Sequence, residues 1–283
     1  MVFLFRLLGR LPLGLLHRLG ALAGWATYLL SPTYRRHLRE NVRQAGLDDG
    51  VRRAAVGEAG KQMLELARIL SKTQAEASAL VVEARGWEHV EAARQAGKGI
   101  VFLTPHLGCF EITAQYYSGF GDITVLYRAP RQAAIQQLIL DGRQRANLHL
   151  APADVSGVRA LIKALKKGQA VGMLPDQAPK VGEGVWLKFF GRWAYTMTLA
   201  GRLTETGATT LMAWGERLPD GRGYRLHIRP PLSPLTGSTI DRAQQVNLEI
   251  EALIRECPAQ YLWGYNRYKR PGGAEPLPEQ GQA

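Results

Sequence analysis

The stretch that decides the fold runs from Gly97 to Glu111 and reads GKGIVFLTPHLGCFE. Its first half predicts a buried β-strand, because a short apolar run follows a glycine turn. His106 comes just after this strand, and Glu111 lies five residues beyond His106. Titratable side chains placed past the carboxyl end of a buried strand are typical of active sites in α/β folds. The stretch therefore predicts an α/β protein with a site at His106 and Glu111.

The spacing of His106 and Glu111 limits how they can meet. Positions five apart on a continuous helix diverge by about 140°, so His106 must lie in a loop and Glu111 in the first turn of the next helix. Gly108 makes such a loop accessible. We expect Glu111 to accept the imidazole N–H, which leaves the other ring nitrogen as a base for a hydroxyl group that attacks an acyl carbon. Amides at the helix N-terminus could stabilise the oxyanion. Taken alone, such a pair is more often structural than catalytic.

Strands and helices are predicted to alternate on both sides of this stretch. Strands are expected at 121–128 (GDITVLYR), 169–176 (QAVGMLPD) and 208–218 (ATTLMAWGERL), and a Pro-Asp-Gly hairpin turn is expected to lead into a further strand within 219–232. Helices are expected at 158–168 and 239–257. This alternation predicts an α/β fold with a central mixed sheet flanked by helices.

Four regions follow from the patterning of the chain. Residues 1–31 are predicted to form a basic and apolar N-terminal helix, and residues 32–83 a helical segment. The α/β domain is expected to span residues 84–270, and residues 271–283, PGGAEPLPEQGQA, are expected to be a disordered tail. Ser31 and Pro32 are expected to end the first helix.

The N-terminal helix has the composition of a membrane anchor. Arg6, Arg10 and His17 fall within about 40° of one another on a helical wheel, and the rest of the wheel is largely Leu, Phe, Ala and Trp. Such a helix is expected to lie in the membrane interface, with its basic seam toward anionic lipid. Two alternatives stay open: an insertion across the bilayer through residues 19–30, and packing on the core of the protein itself.

Charge and composition limit the classes of partner. The 283 residues carry 36 Lys and Arg against 24 Asp and Glu, a net charge of +12, which implies an anionic partner without naming it. The chain has no run of 18 uninterrupted apolar residues, which excludes a polytopic membrane protein. Its two cysteines exclude a disulfide framework and a four-cysteine zinc site.

Two other chemistries could be built around His106. Cys109 lies between His106 and Glu111 and could carry an acyl group, although cysteine more often packs as a small buried side chain. A zinc site would need a third ligand, and neither His149 nor His227 has a recognisable spacing for it. We therefore expect no metal.

Several motifs in a consistent order resemble the lipid A biosynthesis acyltransferase family, which includes the lauroyl and myristoyl transferases of Gram-negative bacteria. This family lies within the His-x4-Asp/Glu acyltransferase superfamily of glycerolipid synthesis. The match runs from about Gly97 to Pro271 and comprises PHLGCFE, LYR, LIKALKKGQAVGMLPDQ, FFG, TGA and PAQYLWGYNRYKRP. The last motif departs from the Trp-x-His-Arg-Arg-Phe-Lys of many members by one histidine and one cation, so it carries no acceptor specificity over.

The resemblance implies a reaction and a set of site residues. It implies transfer of a fatty acyl chain from acyl carrier protein to a hydroxyl of a lipid A precursor, with His106 as the general base and Glu111 orienting it. Arg128 and Arg143 would contact phosphate groups of a substrate. Asp176 and Gln177 would bind substrate, or Asp176 would hold Arg128. The thioester is already activated, so neither a cofactor nor a covalent enzyme intermediate is expected.

The resemblance also implies a location and partners. The protein is expected on the cytoplasmic face of an inner membrane, with acyl carrier protein, anionic membrane lipid and the lipid A precursor as its partners. A lysophospholipid, glycerol phosphate or another glycolipid is the alternative acceptor. A non-catalytic membrane-binding protein is the alternative from another class. Nucleic acid is not expected, because the basic residues are spread along the chain and form no known binding motif.

Overall fold

The computed structural model describes residues 2–128, 133–143 and 145–278. Within them lie nine β-strands: β1 Val81–Arg85, β2 Ile100–Leu103, β3 Ile123–Tyr127, β4 Leu148–Pro152, β5 Ala170–Met173, β6 Gly184–Phe189, β7 Arg192–Met197, β8 Thr209–Arg217 and β9 Tyr224–Arg229. The α-helices of the same residues are α1 Val2–Arg10, α2 Leu13–Leu30, α3 Pro32–Gln44, α4 Asp49–Leu70, α5 Gln74–Ser78, α6 Trp87–Ala96, α7 Phe110–Tyr117, α8 Ala133–Arg143, α9 Val155–Lys166, α10 Leu199–Thr204 and α11 Thr239–Glu256.

A mostly parallel sheet forms the centre of the molecule. Seven strands of the described chain pair in the order β1-β9-β8-β2-β5-β3-β4, and β8 and β9 form its antiparallel pair. The four-residue strands β2 and β5 are buried along their whole length and make the middle of the core. The predicted α/β class is confirmed, together with the strands expected at 121–128, 169–176 and 208–218 and the hairpin that follows.

Other strands were not expected. Strand β1 begins at Val81, inside the segment predicted to be helical to residue 83, and it pairs with β9 in parallel. Strands β6 and β7 form a separate hairpin. Their side chains do not alternate cleanly between buried and exposed positions, so period-2 patterning gives little signal.

The N-terminal region is two helices rather than one. The helix is interrupted at Leu11 and Pro12, between α1 and α2. The basic seam was placed by assuming one continuous helix, and that assumption does not hold. Helix α2 packs closely along α4: a Cβ on Gly20 would lie 2.8 Å from the carbonyl oxygen of Gly60. Small residues at a helix contact allow this approach of the two backbones.

His17 shows how this packing changes the predicted seam. Its side chain is buried, and its Nε2 atom lies 3.3 Å from Oε2 of Glu65 on α4. Arg6 and Arg10 stay exposed. The expectation that all three basic residues face lipid is therefore wrong for His17.

The opposite face of α2 is exposed and apolar. Leu22, Leu29 and Leu30 are 68%, 64% and 83% exposed, and Leu15, Leu19 and Trp25 continue the same face. Among the described helices, none combines the length and hydropathy needed to cross a bilayer.

The segment predicted as a disordered tail is partly ordered against β6. Ala274 is buried, and the carbonyl oxygen of Glu275 accepts a hydrogen bond from Nε1 of Trp186. Residues 279–283 lie outside the described residues.

Candidate active site

Two adjacent parallel strands place the central pair of the site. Leu103 at the end of β2 is in register with Met173 at the end of β5. His106 and Asp176 each follow three residues after these paired positions. Parallel strands bring their carboxyl ends to one edge of a sheet, where α/β folds bind ligands. The strand register therefore brings His106 and Asp176 together although they are 70 residues apart in the chain.

His106 and Asp176 form a two-point contact. The Nδ1 atom of His106 lies 2.8 Å from Oδ1 of Asp176, and the backbone N–H of His106 donates to Oδ2 at 3.0 Å. Asp176 is only 2% exposed. Burial alone would raise the pKa of this carboxyl group, but the charge of His106 and the hydrogen bonds from it lower the pKa below its ordinary value. Asp176 is therefore a carboxylate at neutral pH and fixes the proton of a neutral His106 on Nδ1.

The other ring nitrogen of His106 faces Gln177. With Nδ1 protonated, Nε2 carries the lone pair and is the basic atom. The side-chain amide nitrogen of Gln177 lies 3.2 Å from Nε2 and donates to it. The imidazole side chain is 16% exposed, and the ring of Phe110 packs against it at 4.9 Å between centroids. His106 thus has one nitrogen held by a carboxylate and a basic nitrogen near the surface.

The expected contact between Glu111 and His106 is not formed. Glu111 instead accepts two hydrogen bonds from Nε of Arg143, at 2.9 and 3.1 Å, and a third from its terminal nitrogen. Gln115 donates a further bond to Glu111. Both charged side chains are shielded, at 4% exposure for Glu111 and 18% for Arg143. Glu111 therefore joins α7 to α8, and Asp176 takes the position at the imidazole that was assigned to Glu111.

The path of the loop explains this difference. Gly108 has a φ of 58°, in the left-handed region that favours glycine. Its N–H donates to the carbonyl oxygen of Gln260 at 3.0 Å, and the N–H of Cys109 donates to that of Gly215 at 2.7 Å. These bonds fix the direction in which α7 leaves the loop, and Glu111 in its first turn reaches Arg143.

The same bonds limit which loop amides could bind an oxyanion. The four successive amides from His106 to Cys109 all donate to protein acceptors, because the N–H of Leu107 also donates to the carbonyl oxygen of Pro105, at 2.7 Å. The loop amides are thus already engaged. The expectation concerned the amides at the N-terminus of α7, and of these the N–H of Ile112 donates to the carbonyl oxygen of Cys109 at 3.3 Å. Sequence spacing cannot show this, because two of the acceptors come from β8 and from residues 258–278, here called the C-terminal segment.

Gln62 and the C-terminal segment support the loop and were missed by sequence reasoning. The side chain of Gln62 on α4 is buried and donates to the carbonyl oxygens of Gly108, at 2.9 Å, and His106, at 3.3 Å. The N–H of Leu262 also donates to the carbonyl oxygen of His106. A glutamine in a long helix carries no local sequence signal of this role. The motif PAQYLWGYNRYKRP does mark Leu262, although it does not say what it contacts.

Two tyrosines of the C-terminal segment support the neighbouring strand end. The hydroxyl oxygen of Tyr265 accepts a hydrogen bond from the N–H of Ala178. Tyr261 is buried beside Asp176, and its pKa is raised well above the ordinary value, first by burial and then by the charge of Asp176. The segment therefore braces both loops that carry the central pair.

Arg128 lies apart from the central pair, at the mouth of a cavity of about 440 Å³. Its side chain is 56% exposed and lies 3.8 Å from Glu183, so the suggestion that Asp176 holds Arg128 is wrong. The cavity has a largely apolar wall and charged lining residues of both signs. The apolar residues include Leu126, Val158, Pro179, Met197 and Leu199, the cations are Arg128, Lys180 and Arg202, and the carboxylates are Asp154 and Glu183. Pro179, in its lining, is two residues after Gln177 in the chain.

Cys109 does not have the environment of a nucleophile. It is 1% exposed, and burial, together with the negative charge of Glu65, raises the pKa of its thiol well above the ordinary value. A thiol that stays protonated is a poor nucleophile. In the part of the chain that the structure describes, no group of three or more His, Cys, Asp or Glu side chains is arranged to hold a metal ion.

The fold and the site define an α/β protein with a histidine paired to a buried aspartate at the carboxyl edge of a mostly parallel sheet. The family model of the bacterial lipid A biosynthesis acyltransferases matches residues 1–270. The chain belongs to this family.

Individual relatives agree with the family match. The chain is 30% identical to the lipid A biosynthesis lauroyltransferase of Escherichia coli (strain K12) over 195 residues, 68% of this chain and 63% of the relative. It is 28% identical to the palmitoleoyltransferase of the same strain over 200 residues, 69% of this chain and 64% of the relative. A lipid A biosynthesis acyltransferase of Haemophilus influenzae is 25% identical over 182 residues, 63% of this chain and 56% of the relative. The chain thus spans less than two thirds of the length of these relatives.

Proposed function

We propose that the protein transfers a fatty acyl group from the thioester of acyl carrier protein to a hydroxyl of a lipid A precursor. The observation that carries this proposal is the contact of His106 with Asp176, which leaves a basic Nε2 at the carboxyl edge of the sheet. Membership of the family supports the acyl group and the acceptor. The net charge of +12 suits an acidic carrier protein and a phosphorylated acceptor.

The reaction requires one base and no covalent enzyme intermediate. Nε2 of His106 takes the proton of the acceptor hydroxyl while the hydroxyl oxygen forms a bond to the thioester carbon. Asp176 stabilises the imidazolium through Nδ1. When the tetrahedral intermediate collapses, the carbon–sulfur bond breaks, and the leaving thiolate takes the proton from Nε2. The buried thiol of Cys109 has no part in these steps.

The cavity that Arg128 lines suits the phosphorylated acceptor. Three cations, Arg128, Lys180 and Arg202, outnumber the two carboxylates Asp154 and Glu183 in its lining, and its wall is largely apolar. Phosphate groups and an apolar lipid body need this combination of surfaces. Arg143 is assigned to the structure instead, because its Nε and Nη2 atoms donate to the shielded carboxylate of Glu111.

We further propose that the protein binds the cytoplasmic face of the inner membrane through α1 and α2. The face of α2 that does not contact α4 presents exposed leucines, including Leu22, Leu29 and Leu30. Phe3 on α1 is also 80% exposed, and Arg6 and Arg10 flank it. A surface of this kind lies in the headgroup region of an anionic bilayer. Such a position brings a lipid acceptor to the enzyme.

The test is an acyl-transfer assay with the full chain and His106→Ala. Purified protein is given acyl-loaded carrier protein and either a lipid A precursor or a lysophospholipid, and the products are identified by mass spectrometry. We expect acylation of the lipid A precursor by the wild type and a loss of at least about 10³-fold in the variant. Acylation confined to the lysophospholipid would overturn the acceptor, and activity unchanged in His106→Ala would overturn the base. A wild type that leaves the thioester intact would favour the non-catalytic alternative.

A further inference from the structure

The basic nitrogen of His106 is occupied in the absence of substrate. Nε2 accepts a hydrogen bond from the side-chain amide of Gln177 at 3.2 Å. An acceptor hydroxyl must donate to the same lone pair before it can be deprotonated. Gln177 must therefore give up its bond to Nε2 as the acceptor binds. Its amide N–H then lies close to the reacting atoms and no longer donates to His106.

Protonation of His106 also requires Gln177 to give up its bond to Nε2. After proton transfer Nε2 is itself a donor, so an amide N–H can no longer point at it. The negative charge develops on the thioester carbonyl oxygen at this moment. That oxygen is attached to the carbon under attack, only two bonds from the hydroxyl oxygen that faced Nε2. A donor that begins 3.2 Å from Nε2 can reach it by a side-chain rotation.

Several amides of the two loops that carry His106 and Gln177 are already engaged. The N–H groups of His106, Leu107, Gly108 and Cys109 donate to Asp176, Pro105, Gln260 and Gly215. The N–H of Ala178, the residue after Gln177, donates to the hydroxyl of Tyr265. An oxyanion bound by these backbone groups would have to break bonds that hold the two loops in place.

We propose that Gln177 is the oxyanion donor of the acyl transfer, and that its bond to Nε2 is the resting position of the same amide. This assignment rests on the proposed function and gives a catalytic role to a residue otherwise taken to bind substrate. As the acceptor O–H bond breaks and its proton moves to Nε2, the amide of Gln177 donates to the carbonyl oxygen that gains the charge. When the carbon–sulfur bond breaks, the carbonyl reforms, the thiolate takes the proton from Nε2, and Gln177 returns to the free lone pair.

The experiment compares Gln177→Ala and Gln177→Glu with the wild type. Acyl-loaded carrier protein is the donor, and transfer to lipid A precursor, to lysophospholipid and to water is measured separately. Loss of one oxyanion donor is expected to lower kcat by about 10²- to 10³-fold with a change in KM of less than about fivefold. Gln177→Glu is isosteric but places a negative charge near the oxyanion, so its loss is expected to be at least as large. Gln95→Ala, on the exposed face of α6, is the matched control.

The results separate a failure of the proposed function from a failure of the role of Gln177. Wild-type protein that consumes no thioester with any acceptor overturns the proposed function and this role together. An active wild type with kcat in Gln177→Ala within threefold of it, or above it, overturns this role alone, because Gln177 would then only cover the base. A rise in KM with kcat unchanged also overturns it, since that is the result for a residue that merely binds substrate. Circular dichroism and thermal melting of each variant exclude a loss caused by unfolding.

Discussion

The Nδ1 atom of His106 lies 2.8 Å from Oδ1 of Asp176, and the backbone N–H of His106 donates to the second oxygen of the same carboxylate. Asp176 thus accepts hydrogen bonds from two donors at once, one of which is a backbone N–H that always carries its proton. An asparagine offers one acceptor and one donor in the same place. Because the backbone N–H needs the acceptor, the amide nitrogen of an asparagine would face Nδ1 and force the proton onto Nε2.

We expect Asp176→Asn to lower kcat by about 10²- to 10⁴-fold while the protein stays folded, because the wrong tautomer leaves no basic Nε2. The acyl-transfer assay measures the rate, and ¹⁵N NMR of the imidazole reports which nitrogen carries the proton. The matched control is Asp122→Asn, which alters a surface pair with His149 at the same 2.8 Å distance. A rate within threefold of the wild type in Asp176→Asn would contradict the assignment.

Replacement of Glu111 is expected to act on stability. Glu111→Ala leaves the shielded guanidinium of Arg143 without its carboxylate and should lower the free energy of unfolding by about 3–5 kcal/mol. The double variant Glu111→Leu with Arg143→Met removes both charges and should recover most of that loss. Urea unfolding measures both effects.

Glu256→Ala is the control for this prediction, because Glu256 pairs with Arg229 at 3.5 Å and is 44% exposed. Its effect should stay below about 1 kcal/mol. The imidazole ¹⁵N signals of His106 should keep their tautomer in Glu111→Gln. A switch of tautomer in that variant would mean that Glu111 orients the base after all.

The lowered pKa of the buried Glu65 predicts how the free energy of unfolding depends on pH. Burial alone would raise the pKa of Glu65, but Arg217 and then His17 lower it from 4.5 to about 2. A carboxyl group with a lowered pKa stabilises the folded state above its unfolded pKa, and this contribution is lost as the pH falls toward the folded pKa. The free energy of unfolding should therefore fall by about 3 kcal/mol between pH 4.5 and 2.

Urea unfolding at a series of pH values measures this dependence. Glu65→Gln should be less stable at neutral pH, because the buried Arg217 loses one of its two carboxylate partners and keeps only Glu58. It should also lose less stability than the wild type between pH 4.5 and 2. Glu91→Gln, at an exposed position of α6, should keep the acid dependence of the wild type. An equal loss of unfolding free energy between pH 4.5 and 2 in Glu65→Gln and the wild type would refute the prediction.

The exposed face of α2 predicts membrane binding. Replacing Leu22, Leu29 and Leu30 with glutamine should reduce sedimentation with vesicles that contain anionic phospholipid by at least tenfold, because three apolar side chains no longer enter the interface. Higher salt should weaken the binding of the wild type, since Arg6 and Arg10 contribute charge attraction.

A matched triple variant tests whether the location of these leucines matters. Leu232, Leu248 and Leu277 are exposed to 70%, 55% and 53% and lie outside α1 and α2. Their replacement by glutamine should leave vesicle binding within twofold of the wild type. Equal losses in the two triple variants would count against a membrane face on α2.

Local sequence patterns predicted the strands of the core and the loop at His106, because short apolar runs and glycine turns are set by neighbouring residues. They did not predict β6 and β7, whose burial depends on contacts with α11 and the C-terminal segment. They also placed His17 in a lipid-facing seam, since a helical wheel does not show that Glu65 lies opposite it.

The sequence by itself determined that His106 follows a buried strand and that Asp176 and Gln177 follow another, because strand patterns and turn residues act over short distances. The tertiary structure decided which carboxylate meets the imidazole. The parallel register of β2 and β5 brings Asp176 to Nδ1, whereas the bonds of Gly108 and Cys109 to distant carbonyl groups turn Glu111 toward Arg143. A spacing of five residues restricts a contact, but the pairing of distant segments determines whether it forms.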